Sequence, residues 1–206
     1  MAIILDITSN TGSYNQLQAD IARWLNRTDL AGDIPGFIAN AEARINTDLR
    51  LRRMVSVGTL EVLAGGSASL PDGWLEFRTV SLNGVDLSFM TLAQIKGRFQ
   101  NNDGLPAVYA IEGERVYFGP TPDGVYTVDV SYYKEITPLS TNGSNWLLSK
   151  KPNLYLYAAL AEGCLFLKKP EEAASWAGLY GGIADALRTE DAQAIHSGST
   201  LRVRAK

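Results

Sequence analysis

The chain has 206 residues, with 19 Lys and Arg against 22 Asp and Glu, a net charge of -3, and 46% hydrophobic residues. That length buries roughly 70% of the surface an unfolded chain exposes, and the composition excludes a disordered or fibrous protein and argues against one that coats nucleic acid. The single cysteine, Cys164, excludes an internal disulfide and a multi-cysteine zinc site, and its ordinary reading is a buried small hydrophobe.

Residues 1–7 are apolar but have no basic residue before them, contain Asp6, and fall far short of the roughly 20 helical residues that span a bilayer, so no secretion signal or membrane anchor is expected. A first helix is predicted from Ser13, with Ser13 and Gln16 as a capping box, Leu17, Ile21, Trp24 and Leu25 on one face, and an end near Thr28. After a turn over 29–32, Asp33 is placed to cap a second helix with Pro35 in its first turn. Its apolar stripe is Phe37, Ile38, Ala41, Ile45 and Leu49, and the two helices read as a hairpin. Arg50, Arg52 and Arg53 cluster where this helix ends; carbonyl capping or an ion pair between subunits suits them better than DNA contact.

The grammar changes at Met54. From there to 144, turn signals such as Gly65-Gly66, Pro71-Asp72-Gly73, Asn83-Gly84 and Pro122-Asp123-Gly124 separate short apolar runs, which predicts an antiparallel β domain. Asn83-Gly84 fits a two-residue type I′ hairpin, because both positions need positive φ. Over 125–133, Tyr126, Val128, Val130 and Tyr132 alternate with Thr127, Asp129 and Ser131, one face apolar and one wet. Thr91 and Gln94 repeat the capping-box pattern and predict one short helix inside the β region.

Helix returns after Trp146. The stretch 154–167 is apolar nearly all round, with Glu162 its only charge before the lysines, so it is expected to be enclosed by other helices or a neighbouring subunit. Pro170 opens a last helix with Glu171 and Glu172 in its first turn and an inner stripe of Trp176, Leu179, Tyr180, Ile183 and Leu187. Gly178, Gly181 and Gly182 each cost a helix about 1 kcal/mol relative to alanine, which predicts a close backbone contact there. The expected organisation is α+β: a discontinuous helical bundle formed by both chain ends (1–53 and 145–194), an inserted antiparallel β domain (54–144), and a tail (195–206). Leu154, Tyr157, Ala161, Leu165, Trp176, Leu179 and Ile183 are its expected bundle core or subunit interface.

No catalytic, metal or cofactor site emerges, and the chain reads as a structural or interaction subunit. His196, the only histidine, stands beside Ser and Gly past the last helix, without the rigid support a catalytic base needs. The clustered glycines lie within a helix pattern, not between strand and helix, and so do not form a phosphate cradle. Glu112 and Glu114 flank Gly113 and could serve a carboxylate-pair hydrolase, though turn acids are usually solvated. Trp74, Tyr109, Tyr117, Tyr126, Tyr132 and Tyr133 could stack on sugars or bases; at strand spacing most read as core. A glycan-recognising β domain on a helical support is the alternative these aromatics motivate. In the tail, Leu201 and Val203 alternate with Arg202 and Arg204, a period able to add a strand to a partner's sheet edge; an unpaired terminus is the other reading.

Trp24-Leu25-Asn26-Arg27, then Ile34-Pro35, Phe37-Ile38 and Ala41-Glu42-Ala43-Arg44-Ile45-Asn46, resembles the opening of the head-to-tail adaptors of tailed bacteriophages, including the tail tubular A type. Gly119-Pro120-Thr121-Pro122, Tyr132-Tyr133, Pro138-Leu139, Asn145-Trp146-Leu147-Leu148 and Pro152-Asn153-Leu154-Tyr155-Leu156-Tyr157 are similar to that family's second half. The resemblance implies a non-enzymatic virion neck protein without cofactor or membrane contact, assembled in the host cytoplasm, commonly as a dodecameric ring. Its implied partners are the portal protein, tail or nozzle proteins and further copies of itself. The helical part would dock on the portal and the β module would face the tail, with genomic DNA passing through the channel without sequence-specific binding. Leu201, Arg202, Val203 and Arg204 are the portal-binding residues expected on this reading.

Overall fold

The structure, a computed structural model, describes residues 13–196, and the side chains of 13–194. The chain divides into two compact units. One holds the helices that precede Arg52 and follow Glu135, and the other is Arg52–Glu135. Among the described residues, seven helices and two sheets make the fold α+β.

In the helical unit, α1 (Tyr14–Leu25) starts at Ser13, whose hydroxyl accepts the Gln16 N–H at 3.3 Å. The Gln16 amide does not return the bond; it turns to Asp20 Oδ1 at 3.2 Å, so only half of the expected capping box forms. The helix ends at Leu25, short of Thr28, because Asn26 takes the left-handed conformation (φ 51°). The Asn26 and Arg27 N–H groups then donate back to the Arg23 and Ala22 carbonyls, a Schellman closure. Helix α2 (Ile34–Asp48) carries Pro35 in its first turn. Asp33 sits at its N-cap position without a side-chain bond, since its helical backbone (φ -92°, ψ -26°) denies the carboxylate the extended geometry a cap uses.

After the β unit come α4 (Leu139–Asn142), α5 (Trp146–Lys150), α6 (Pro152–Phe166) and α7 (Pro170–His196). Helix α6 packs against α1, α2, α5 and α7. This placement explains its all-round apolar sequence: Leu154, Tyr155, Leu156, Leu160 and Cys164 are all buried. Helix α7 continues to His196, past the Ala194 at which its pattern fades. Its buried stripe is Ala173, Tyr180, Ala184 and Leu187, with Trp176 and Ile183 half-buried beside it. Leu179 was expected in that stripe but is 51% exposed, since it lies a further part-turn round the helix. The close contact expected at Gly178, Gly181 and Gly182 is also absent: a Cβ at any of them would meet nothing within 4 Å. The glycine that does permit close packing is Gly163 of α6, where a Cβ would stand 3.0 Å from Leu25 Cδ1 and 3.4 Å from Phe37 Cδ2.

The other unit opens with a 3-10 turn (Arg52–Met54). Its strands are β1 (Val55–Val62), β2 (Ser67–Ser69), β3 (Trp74–Leu82), β4 (Val85–Asp86), β5 (Ser88–Phe89), β6 (Val108–Glu112), β7 (Arg115–Gly119) and β8 (Tyr126–Lys134). Helix α3 (Leu92–Arg98) follows β5, and its Thr91–Gln94 capping box closes in both directions. The sheets are ordered β1-β8-β3-β4 and β2-β7-β6-β5. All pairs are antiparallel except β5 with β6, a parallel pair that the antiparallel expectation did not include and that α3 makes possible as the connection.

The β3–β4 turn has Asn83 at φ 52° and Gly84 at φ 77°, the type I′ hairpin expected. Leu60, Val80, Val116, Phe118, Val128 and Val130 fill the core between the sheets. The opposite face of β6 and β7 sends Val108, Ala110 and Tyr117 to Ile95 of α3 and to Phe99 at its C-cap. The β unit closes at Glu135, short of the 144 expected, because the next residues bond into the helical unit.

Candidate functional site

Within the helical unit, α2 binds the returning chain with a row of polar groups at helical spacing. Glu42 Oε1 accepts the Leu139 N–H at 2.8 Å, capping a helix whose own N-cap, Pro138, has no side-chain acceptor. One turn on, Asn46 Oδ1 accepts the Ile136 N–H at 3.0 Å. Arg44 pairs with Glu162 of α6 at 2.9 Å, and its guanidinium lies 6.0 Å from the centre of the Tyr180 ring. Asp48 takes the Tyr180 hydroxyl at 2.8 Å, and Arg188 donates to its carbonyl at 2.9 Å.

A second hub is Asn145. Its Oδ1 accepts the Leu147 and Leu148 N–H groups, and its Nδ2 donates to the Thr137 carbonyl and the Tyr155 hydroxyl. Burial pushes the Glu42 carboxyl up from its ordinary range, against the opposing pull of the Leu139 N–H. Burial likewise raises the Tyr155 and Tyr180 phenols. These groups staple chain segments together. At the end of α2, Arg50 Nη1 bonds the Asn46 and Leu49 carbonyls, the carbonyl-capping role its position suggested.

The expected interface or core residues divide by exposure. Leu154 and Ala161 are buried. Tyr157 and Trp176 stack with centroids 5.6 Å apart, and Trp24 meets Trp176 edge-on at 5.4 Å. Ile183 is half-buried. Leu165 and Leu179 are each 51% exposed, joined by Phe166 at 56% and Trp24 at 48%. Neither Phe166 nor Trp24 was among the residues expected at an interface: Trp24 was expected on the apolar face of α1 but is exposed, and Phe166 closes the apolar run of α6, where periodicity gives no signal of exposure. The expected portal-binding residues Leu201, Arg202, Val203 and Arg204 lie outside the described residues, as does the side chain of His196.

The groups that might have suggested chemistry stay apart. Glu112 and Glu114 are exposed on the β6–β7 turn. Among the described residues no group of three His, Cys, Asp or Glu side chains could hold a metal ion. Cys164 is buried, and burial with the nearby Glu172 raises its thiol, away from nucleophilic use. A hollow of about 600 Å³ beside α3 is lined by Gly65, Leu92, Lys96, Tyr117, Phe118 and Thr121, with no carboxylate in its wall. Among the β-unit aromatics, Phe77 meets Tyr109 and Tyr132 edge-on, and Trp74 packs on Phe77 with the rings tilted by 55°. The Tyr126 hydroxyl is held by Asp123. No helix among the described residues is long and apolar enough to cross a membrane.

Internal latches and exposed apolar side chains are the features that the helical unit presents. Residues 13–204 match the family model described as SU10 adaptor protein, and the chain belongs to that family of phage head-tail adaptors. No curated protein matches the chain in sequence.

Proposed function

We propose that this adaptor forms a closed homo-oligomeric ring, dodecameric as the family resemblance implies, in the virion neck between the capsid portal and the tail. In this reading the helical unit seats on the portal, the β unit faces the tail or nozzle proteins, and genomic DNA passes through the middle. The adaptor role follows from the family. The observation that carries the ring is the exposed apolar set of the helical unit, Trp24, Leu165, Phe166 and Leu179. Side chains of this size, each about half uncovered on one unit, are what a partner surface of an assembling subunit supplies.

The net charge of -3 is compatible with a DNA passage, because a channel that neutralised many phosphates would hold the duplex instead of releasing it. No catalytic step is assigned to the chain. Native mass spectrometry of the full chain, alone and mixed with the cognate portal protein, tests the reading. A closed ring in either sample is the expected result. A chain that remains monomeric in both and does not co-migrate with the portal overturns it. Leu165→Glu with Leu179→Glu should abolish the ring while leaving the melting temperature within a few degrees of wild type.

A further inference from the structure

Four strands end the two sheets: β1 and β4 in one, β2 and β5 in the other. Three are blunted by their length, since β2 has 3 residues and β4 and β5 have 2 each. The exception is β1, with 8 residues and, among the described residues, one hydrogen-bonded neighbour, β8. In an antiparallel pair every second residue turns its N–H and C=O away from the partner, so β1 presents a row of unpaired backbone groups along its outer edge. Folded proteins guard such an edge with Lys, Pro or a bulge. The sequence of β1, Val-Ser-Val-Gly-Thr-Leu-Glu-Val, has no Lys or Pro, and its register against β8 runs from Val55 to Val62 without a shift.

The two faces beside this edge differ. On the inner side Leu60 and Val62 belong to the core between the sheets. On the outer side stand Val57, 79% exposed, then Thr59 and Glu61, with Asp129 of β8 opposite Thr59. Neither Glu61 nor Asp129 has an ion-pair partner among the described residues. The edge therefore asks for a strand that alternates apolar and cationic side chains. Thr200-Leu201-Arg202-Val203-Arg204 is such a sequence, in a stretch from 192 to 206 whose charged residues are all basic.

We propose that this segment of one copy adds to β1 of a neighbouring copy as a further strand of the β1-β8-β3-β4 sheet. Leu201 and Val203 extend the apolar row of Leu60 and Val62, and Arg202 and Arg204 lie on the outer face with Glu61 and Asp129. Main-chain hydrogen bonds supply the attachment and the alternating side chains set the register. The inference rests on the ring reading, since a strand that leaves one copy and completes the sheet of the next is a heterologous link that repeats around a ring.

The test mixes two full-length chains in a Cys164→Ala background, one carrying Thr59→Cys and the other Thr200→Cys, two positions that share the outer face in the proposed strand, and treats the assembled protein with a short bismaleimide. A 59–200 crosslink between chains, located by mass spectrometry, is expected at no less than tenfold the yield of a control that replaces Thr59→Cys by Glu112→Cys. Adding Arg202→Glu and Arg204→Glu should lower the yield at least tenfold. Crosslinks from 59 to 59, from 200 to the portal protein, or none above the control overturn the strand assignment, and a yield indifferent to the two charge reversals overturns its charge pairing. If the wild type forms a ring but 59–200 does not crosslink, only this inference falls. If the wild type stays monomeric with and without portal, the ring reading falls too.

Discussion

The Tyr180 hydroxyl donates a 2.8 Å hydrogen bond to Asp48 Oδ2 across 132 residues of sequence, joining the last helix to the end of the second. Tyr180 is buried, and burial together with the Asp48 carboxylate raises its phenol; Tyr155, held by Asn145, is raised chiefly by burial. A phenol whose folded pKa exceeds its unfolded one keeps its proton when the unfolded chain has lost its own. The stability each contributes is thus complete below the unfolded value of 10.0 and is lost as pH rises from there toward the folded pKa. Urea midpoints should fall steeply above about pH 10, and Tyr155→Phe with Tyr180→Phe should flatten that fall. An alkaline limb that is equally steep in the double variant would assign it to other groups.

Glu42 separates the value of a hydrogen bond from the value of a charge. Its carboxylate caps Leu139, but burial raises its pKa, so ionisation is a cost that falling pH relieves. Glu42→Gln retains an acceptor and removes the charge, and is expected to leave stability unchanged or raise it near neutral pH. Glu42→Ala strands the N–H of the fully buried Leu139 and should cost about 1 to 3 kcal/mol. Chemical denaturation of both variants at neutral pH reads the difference; equal losses would mean that charge, not the cap, is what the site needs.

The glycines make opposite predictions by location. Gly178 and Gly182 lie in α7 with ordinary helical backbone and no atom within 4 Å of a would-be Cβ, so alanine at each should stabilise the free chain by about 0.5 to 1 kcal/mol. At Gly119 a Cβ would stand 2.8 Å from Ile95 Cγ2 and 2.9 Å from Phe99 Cδ2, the side chains that seat α3. Gly119→Ala should therefore cost about 1 to 3 kcal/mol through overpacking. Thermal denaturation of the three variants checks the order, and a destabilising Gly178→Ala would contradict the open geometry.

What could be read in the sequence was whatever local chemistry dictates. The Asn83-Gly84 turn, the alternation along β8 and the Thr91 box each depend on a few adjacent residues and took the shapes expected of them. Asp33 failed as a side-chain cap because its backbone angles are set by the preceding turn, which its residue type does not reveal. The parallel β5–β6 pair and the division of α7 into covered and open faces depend on contacts between distant residues, and periodicity alone misjudged Leu179 and the glycines. Much of the text that resembles head-to-tail adaptors proves to be the stapling itself. Glu42, Arg44 and Asn46 hold Leu139, Glu162 and Ile136, and Asn145 holds Tyr155. A functional surface has no such signature, since Leu165 and Phe166 are exposed at the end of the same apolar run that buries Leu154 and Leu160.

Trp176 shows how burial sets the size of an effect. Its ring stacks on Tyr157 at 5.6 Å and receives Trp24 edge-on at 5.4 Å, but it is half-buried, so truncation opens a surface notch instead of a closed cavity. The loss on Trp176→Ala should fall below the roughly 3 to 5 kcal/mol of a fully enclosed tryptophan. What remains is divided between buried area and ring geometry, and a double-mutant cycle isolates the second. Trp176→Leu and Tyr157→Leu keep apolar bulk while removing the stack, and their coupling energy is expected at about 0.5 to 1.5 kcal/mol. Equilibrium urea unfolding of the wild type, both single variants and the double variant gives that number. Strict additivity would mean the rings are neighbours without mutual attraction, and that Trp176 acts only through the area it covers.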